Sequence, residues 1–484
     1  MAGTGTLLSD LPDDLLRRIL SFAPAADGAA TALLSRRWRW LWRTSGAVNL
    51  DGPIYDGHDG SLFLRHAEGA LAAARAPVTR LSLRVPGALG PVAAVDVLSL
   101  PAARRVQDLR VAAPHYFWLG ALPSATLRQL RVAGCPPGPV AVAPAPRGAA
   151  FPALAAVRLQ GCAVPLSCLQ GLSDAAPGLA TIHLEGCRLT PLVVAAPRPA
   201  MPSEDRCRLR CPAATSLVLA DCVWPRRVQG GMELDAPRLR CFRYRGFVRL
   251  VSLRSPAPDI HLVDLHFVDE VCQRGEGRMC DELRVIFWQF LRNFSSAKFL
   301  KLKLNFLIEH IGFVIESNKD KSELQSHVFF SNLGRLELEA PHLPMSKGTA
   351  MAMATLLHCC PVLRDLQLRL TTTGATRMPM IPFDNNKADD LNEVSDVPGL
   401  SEYSFNCVQS CLRRVRLQFH LEDLNCFGVQ LARFFAENAL ALEEMYTEDP
   451  NYELCQYINR EVRRWMSDSS KRRNSFSSKK IKRN

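Results

Sequence analysis

The sequence predicts an α+β or α/β solenoid: a head of three short helices, followed by a horseshoe of short parallel strands stacked repeat upon repeat. Three observations lead there. Residues 9–42 carry helical apolar spacing and helix punctuation. From Val78 onward an L-x-x-L-x-L spacing returns twelve times. A chain of 484 residues also exceeds one compact core, which points to two or three units or to one elongated array.

In the head, SDLPDDLLRRILSFAPAADGAATALLSRRWRWLW, Asp10 is placed to cap a first helix. Pro12 follows in the first turn, where its missing N–H costs nothing. Asp13 and Asp14 suit the positive end of that helix dipole. Leu15, Leu16, Ile19 and Leu20 recur at i, i+1, i+4 and i+5 and make one apolar face. Pro24 stops the helix. A second runs over 29–34 behind Asp27 and Gly28. Ser35 caps a third, in which Trp38, Leu41 and Trp42 line one side, while Arg36, Arg37, Arg39 and Arg43 cover the rest. A piece this small cannot bury so many large side chains, because domains below about 40 residues need a partner, a metal or a disulfide. No cysteine precedes Cys135, so something else must cover these surfaces, either a partner or the chain's own core.

The order Leu-Pro, Ile-Leu, Leu-Leu-Ser-Arg-Arg-Trp-Arg, Leu-Trp over residues 11–42 closely resembles the F-box, here 7–45. That motif docks a chain onto the Skp-family adaptor of a cullin-based ubiquitin ligase. The resemblance implies an adaptor surface drawn from Leu11, Pro12, Leu15, Leu16, Ile19, Leu20, Leu33, Leu34, Trp38, Leu41 and Trp42. Leu11, Pro12, Ile19, Leu20 and Trp38 are its expected centre. Some of the others must pack the F-box itself, and spacing alone does not separate the two groups.

Residues 46–77 read as a helical linker with one helix candidate at 61–75. The repeats then occupy 78–370. Their cleanest copies are Leu127-Leu130-Val132-Cys135, Leu154-Val157-Leu159-Cys162, Leu179-Ile182-Leu184-Cys187 and Leu217-Leu219-Cys222. This L-x-x-L-x-L-x-x-N/C-x-L order is the signature of leucine-rich repeats. The anchor positions are Leu81, Leu109, Leu130, Val157, Ile182, Leu217, Phe242, Leu265, Leu302, Leu336, Leu366 and Val415. Alternate leucines point inward, and Arg128, Gln129, Arg131 and His183 line the outer surface. Cys135, Cys162, Cys187 and Cys222 are expected to be structural thiols.

Two stretches interrupt the repeats. Residues 269–293 begin as a loop and end in a helix carrying Leu283, Phe287, Trp288 and Leu291. Residues 371–400, rich in Thr, Asp, Asn and Pro, read as a flexible insertion. Residues 401–466 then give a strand, a helix with Leu431, Phe434 and Phe435 inward, and a last strand near Leu442 and Met445. This ending resembles the FBD region that closes many plant F-box/leucine-rich-repeat proteins, and 356–368 looks like the repeat preceding it. Such a unit would cap the array's open apolar end. A final helix at 454–465 precedes 467–484, expected to be a disordered basic tail.

No catalytic signature accompanies this plan. The sequence has no G-x-x-x-x-G-K-[ST], G-x-S-x-G or H-E-x-x-H, and Gly275-Glu276-Gly277 lacks a third glycine. Cys207 with Cys211, and Cys407 with Cys411, lie too far apart for a finger-like metal site, and His358 with Cys359 and Cys360 falls inside a repeat. No catalytic residue, cofactor or metal is expected. Sixteen cysteines without a secretory signal point to reduced thiols, and no apolar run reaches the roughly 18 residues of a membrane helix. The net charge is +12, but seven Lys and Arg from Lys471 onward leave a body of only +5, which weakens a nucleic-acid reading. A nuclear or cytoplasmic location follows, the basic tail being one candidate import signal.

The combined expectation is a substrate-recognition subunit of a Skp–cullin–F-box ubiquitin ligase, non-catalytic, with an unidentified target held by the repeats. An F-box scaffold or decoy outside a ligase remains open, as does a repeat-based binder of a small ligand or RNA. For the last, Arg128, Arg131, Arg158, Arg240 and Arg243 form an outward basic series interrupted by Thr181, His183, Ser216 and Val218.

Overall fold

A computed structural model describes residues 8–50, 60–86, 92–123, 125–134, 138–143, 148–190, 207–224, 231–268, 281–312, 330–343, 347–373, 397, 400, 404–419, 426–449 and 452–481. Two compact units are distinguishable, Met1–Pro237 and Arg238–Asn484.

The first unit opens with α1 (Asp13–Leu20), α2 (Ala25–Ala30) and α3 (Trp38–Leu41), joined by short 3-10 turns. The three helices are present, but their starts differ from the predicted ones. Pro12, not Asp10, is the N-cap of α1, and its carbonyl accepts the Leu16 N–H at 3.1 Å. Pro24 likewise caps α2 and accepts the Gly28 N–H at 2.8 Å, so that helix begins before Ala29. A proline's fixed φ suits a helix start, and the same ring that stops α1 therefore launches α2. The third helix is preceded by Arg37 rather than capped by Ser35.

Behind the head stands a ladder of parallel strands, numbered here alone: β1 (Ala47–Leu50), β2 (Arg80–Arg84), β3 (Asp108–Ala113), β4 (Gln129–Gly134), β5 (Ala156–Gln160), β6 (Thr181–Glu185) and β7 (Ser216–Ala220). The strands pair in chain order, and the predicted anchors face one another: Leu81, Leu109, Leu130, Val157, Ile182 and Leu217 make one buried row. The strand β1 corrects the linker reading of 46–77. Val48 and Leu50 point inward and Val48 pairs with Leu81, so the ladder starts one repeat early. The helix expected at 61–75 is α4 (Gly60–Ala73), followed by α5 (Ala93–Ser99) and α6 (Leu166–Ala175).

Each of three successive strands ends in a left-handed residue and a cysteine. Gly161 and Gly186 sit at φ +59 and Asp221 at φ 51. Cys162, Cys187 and Cys222 follow, buried and free. Their Sγ–H groups donate to carbonyls of the preceding strand or its edge, at Val132 (3.8 Å), Leu159 (3.3 Å) and Leu184 (3.4 Å). A Cβ on Gly134 would stand 2.3 Å from the Gly161 carbonyl oxygen, so the turn closes only on glycine there. Cys135 lies outside the described residues.

The second unit repeats the plan with β8 (Cys241–Gly246), β9 (Leu262–Phe267), β10 (Phe299–Leu304), β11 (Arg335–His342), β12 (Asp365–Thr372), β13 (Arg414–Phe419) and β14 (Glu444–Glu448), again parallel and in chain order. Two anchors are corrected. Phe242 faces Val263, which faces Leu300, which faces Leu336. The anchors of β9 and β10 are therefore two residues upstream of Leu265 and Leu302. A shift of two keeps every side chain on its face, so the hydrophobic pattern could not reveal it.

The helix α7 (Asp281–Arg292) buries Phe287, Trp288 and Leu291 as expected, Leu283's side chain lying outside the described residues. After α8 (Lys347–Cys359) and α9 (Asn406–Ser410), α10 (Phe427–Asn438) turns Leu431, Phe434 and Phe435 inward. In the ending expected as a last repeat and cap, β13 and β14 extend the same ladder in register. Most of 371–400 lies outside the described residues, but β12 runs two residues into it. The last helix, α11 (Tyr452–Ile481), passes well beyond Trp465 into the stretch expected to be a disordered tail. Residues 467–481 contain neither Pro nor Gly, and Ser469 Oγ donates to the Glu437 carbonyl at 2.9 Å, docking the helix on α10. Together the helical head and the parallel ladders fit an α/β repeat fold.

Candidate functional site

The head separates its large side chains into two sets. Leu16, Leu20, Trp38 and Leu41 form a buried cluster, against which Leu11 and Trp42 pack half-buried. Burial of each such side chain is worth about 1.5–3 kcal/mol, so these residues hold the three helices together. Arg37 adds a polar lock between α1 and α3. Its Nε donates to Asp13 Oδ1 at 2.7 Å and its Nη2 to the Leu11 carbonyl at 2.5 Å.

The remaining residues of the predicted surface face outward. Leu15 is 42% exposed, Ile19 44%, Leu33 89% and Leu34 69%, and Pro12 is exposed as well. Pro12, Leu15, Ile19 and Phe22 recur three, four and three residues apart and so make one stripe along α1. Of the residues expected at the centre of the surface, Leu11 is half-buried, and Pro12 and Ile19 are exposed. Leu20 and Trp38 are not, because the turn of α1 and the start of α3 aim them at each other. Sequence reasoning missed Phe22, 62% exposed, although its spacing from Leu15 and Ile19 continues their stripe. It also missed Leu8 and Trp40, both exposed. Isolated exposed leucines are ordinary, whereas a stripe continued on a neighbouring turn marks a docking surface.

This face stands on a rigid base. The buried Asn49 of β1 donates Nδ2–H to the carbonyls of Ser21 (2.9 Å) and Ala23 (2.8 Å), just past the end of α1. The Arg75 guanidinium lies 3.9 Å over the Trp40 ring, and Arg80 lies 5.0 Å over Phe22. The head is thus pinned to the first two ladder strands.

Residues 8–46 match the F-box domain. The head is an F-box. F-box domains generally bind Skp-family adaptors, and proteins joining an F-box to leucine-rich repeats are generally non-catalytic adaptors. Among curated proteins of Arabidopsis thaliana, an F-box/LRR-repeat protein is 29% identical over 115 residues, covering 22% of this chain and 30% of the relative. A putative FBD-associated F-box protein is 54% identical over 44 residues, 9% of this chain and 24% of its own length. An F-box/FBD/LRR-repeat protein is 36% identical over 109 residues, covering 22% of this chain and 25% of that protein. The chain therefore spans no more than 30% of the length of these relatives. It is similar to plant F-box/leucine-rich-repeat proteins with an FBD-like region.

The thiols singled out in the sequence fall in different units: Cys207 and Cys211 are buried in the first, while in the second Cys359, Cys360 and Cys407 are buried and Cys411 is half-buried. Among the described residues no group of three or more His, Cys, Asp or Glu is placed to hold a metal.

Proposed function

We propose that this chain is the substrate-recognition subunit of a Skp–cullin–F-box ubiquitin ligase, working in the nucleus or cytoplasm. The Skp-family adaptor covers Pro12, Leu15, Ile19, Phe22, Leu33 and Leu34, and through it the chain joins a cullin. The outward face of the repeats holds a target protein. The chain itself makes and breaks no bonds. It raises the effective concentration of the target beside the conjugating enzyme and orients its lysines.

The observation that carries this reading is the division of the F-box into a closed core and an open apolar stripe on the same helix. Leu16 and Leu15 are neighbours in sequence, yet one is fully buried and the other 42% exposed. The test uses that division. The double variant Leu15→Asp, Ile19→Asp is expected to stay folded and to lose capture of a Skp-family adaptor in a pull-down. In contrast, Leu16→Ala should unfold the head first, since emptying a leucine site in a core costs about 2–5 kcal/mol. Retained adaptor capture by the double-Asp protein would overturn the assignment. Co-purification of adaptor without cullin would identify a scaffold acting outside a ligase.

A further inference from the structure

The outward face of the first ladder carries a row of three arginines whose middle member, Arg131, has no ion pair among the described residues. Arg110, Arg131 and Arg158 are direct register partners on β3, β4 and β5, and Arg158 is in turn partnered by His183 on β6. Parallel strands stand about 4.8 Å apart, so the row places four cationic or protonatable groups within about 14 Å. Its two ends are partly neutralised. Asp108 lies 3.4 Å from Arg80 and 3.2 Å from Arg110. Glu185 lies 2.7 Å from Arg158 and 3.4 Å from His183. Between them the exposed Arg131 guanidinium makes no ion pair or hydrogen bond among the described residues, and the buried Arg110 Nε has no partner. No acid stands on β4 or β5, whose outward positions are Gln129, Arg131, Ala133, Ala156, Arg158 and Gln160.

The second unit solves the same problem differently. There Lys301 and Arg335 share Glu337, Lys303 and Arg369 share Glu339, and Arg414 pairs with Asp365. Its outward face is a closed ladder of ion pairs. Like charges one strand apart repel, and with Asp108 and Glu185 on its two ends the first row keeps one unmatched cation, Arg131.

We infer that the Arg110–Arg131–Arg158 row is the docking strip for an acidic, Asp/Glu-rich extended segment of the target protein. The inference rests on the receptor reading and names the chemistry of what is received. Guanidinium groups here already bind carboxylates at both ends of the strip, so the strip's own pairs show the geometry a partner's carboxylates would adopt. Ala133 and Ala156 beside the row leave a low floor for a peptide backbone. The three arginines span about 10 Å, which matches three to four residues of extended chain. Nucleic acid fits less well: the outward positions from β3 to β6 hold no Phe, Tyr or Trp for base stacking.

The test is fluorescence anisotropy of a labelled hexaglutamate peptide titrated with the full chain. The wild type is expected to bind, with affinity falling as salt passes about 0.15 M. Arg131→Ala should weaken binding about two- to fivefold, in the range of an exposed ion pair. Arg131→Glu should weaken it about tenfold, while Arg335→Glu on the second face leaves it unchanged. Arg131 is exposed and unpartnered, so superimposable thermal melts should accompany both of its variants. Three results overturn the inference: no binding by the wild type, equal weakening by Arg335→Glu, or displacement of the peptide by single-stranded RNA that itself depends on Arg131. Adaptor capture is read in parallel. Adaptor captured without peptide bound removes the strip and leaves the receptor reading standing, whereas failure of the wild type to capture adaptor removes that reading whatever the peptide does.

Discussion

Cysteine serves this chain as a small core residue with one weak hydrogen to give. Cys162, Cys187 and Cys222 each hand that hydrogen across to the neighbouring repeat, and Cys407 hands its own to the Leu357 carbonyl at 3.4 Å. Burial pushes the Cys359 and Cys407 thiols up to about 12 and Cys211 to about 11, because a thiolate loses its hydration there. In native protein at pH 8 these thiols stay protonated and enclosed. Iodoacetamide labelling followed by mass spectrometry should therefore mark the half-buried Cys241, Cys411, Cys426 and Cys455 and spare Cys211, Cys359 and Cys407 until denaturant is added. Labelling of the second group at the rate of the first would show that the repeats open around them. The structural role of Cys162, Cys187 and Cys222 was legible from their place at the turn of an L-x-x-L-x-L-x-x-C unit. The split between Leu15 and Leu16 was not, since two adjacent leucines on a short helix present the same pattern whether the partner is internal or external.

At the scale of the element, each ladder strand is two surfaces in one, and the outward surface of β10–β13 has been charge-matched residue by residue. Glu337 is the best enclosed of its acids, with Lys301 Nζ at 2.9 Å and Arg335 Nη2 at 2.6 Å. Burial opposes its ionisation, yet the hydrogen bonds and charges of Lys301 and Arg335 outweigh burial and hold the carboxyl below its ordinary range. A carboxyl lowered by folding stabilises above its unfolded value of about 4.5 and loses that contribution as pH falls through its folded value. Glu337→Gln should therefore cost up to about 1 kcal/mol at pH 7, the pair being partly exposed. The difference between the two proteins should narrow progressively as pH falls below about 4.5. Urea unfolding of both proteins at pH 7 and pH 3.5 checks the sign, and an equal gap at both values would remove the ion pair as its cause. Strand positions were readable at this scale because alternating leucines leave few other solutions. The strand β1 escaped because Ala47–Leu50 offers only two inward residues and lacks the leading leucine of the motif, and the register of β9 escaped because a two-residue shift is invisible to alternation.

Across the first unit as a whole, the F-box and the ladder are one mechanical piece, and Asn49 is the joint. Its amide satisfies two carbonyls just past the end of α1 from a buried position on β1. Asn49→Ala leaves both carbonyls without that donor, which costs about 1–3 kcal/mol. Hydrogen exchange should then quicken through residues 17–23 and 47–50 while the amides of β4 and β5 keep their protection. Unchanged exchange at the head would mean that the Arg75–Trp40 and Arg80–Phe22 contacts suffice to fix it. None of this joint could be read from the sequence, where Asn49 is one polar residue in a stretch that reads as linker. The division into two units at Pro237 was equally silent, because the anchor spacing runs on through Leu217 and Phe242 without a break. The extension of α11 to Ile481 was hidden by composition: a run of Lys, Arg and Ser reads as solvated tail, although nothing in it breaks a helix.

The alternation along the ladder has one more consequence. Leu130 and Arg131 are adjacent in the chain, yet one is fully buried and the other is exposed on the outward face. Codons for display and codons for support are therefore interleaved but independent. A library randomised at Gln129, Arg131, Arg158 and Gln160, with Leu130, Val132, Val157 and Leu159 held fixed, would vary the surface of a single scaffold without asking the scaffold to refold.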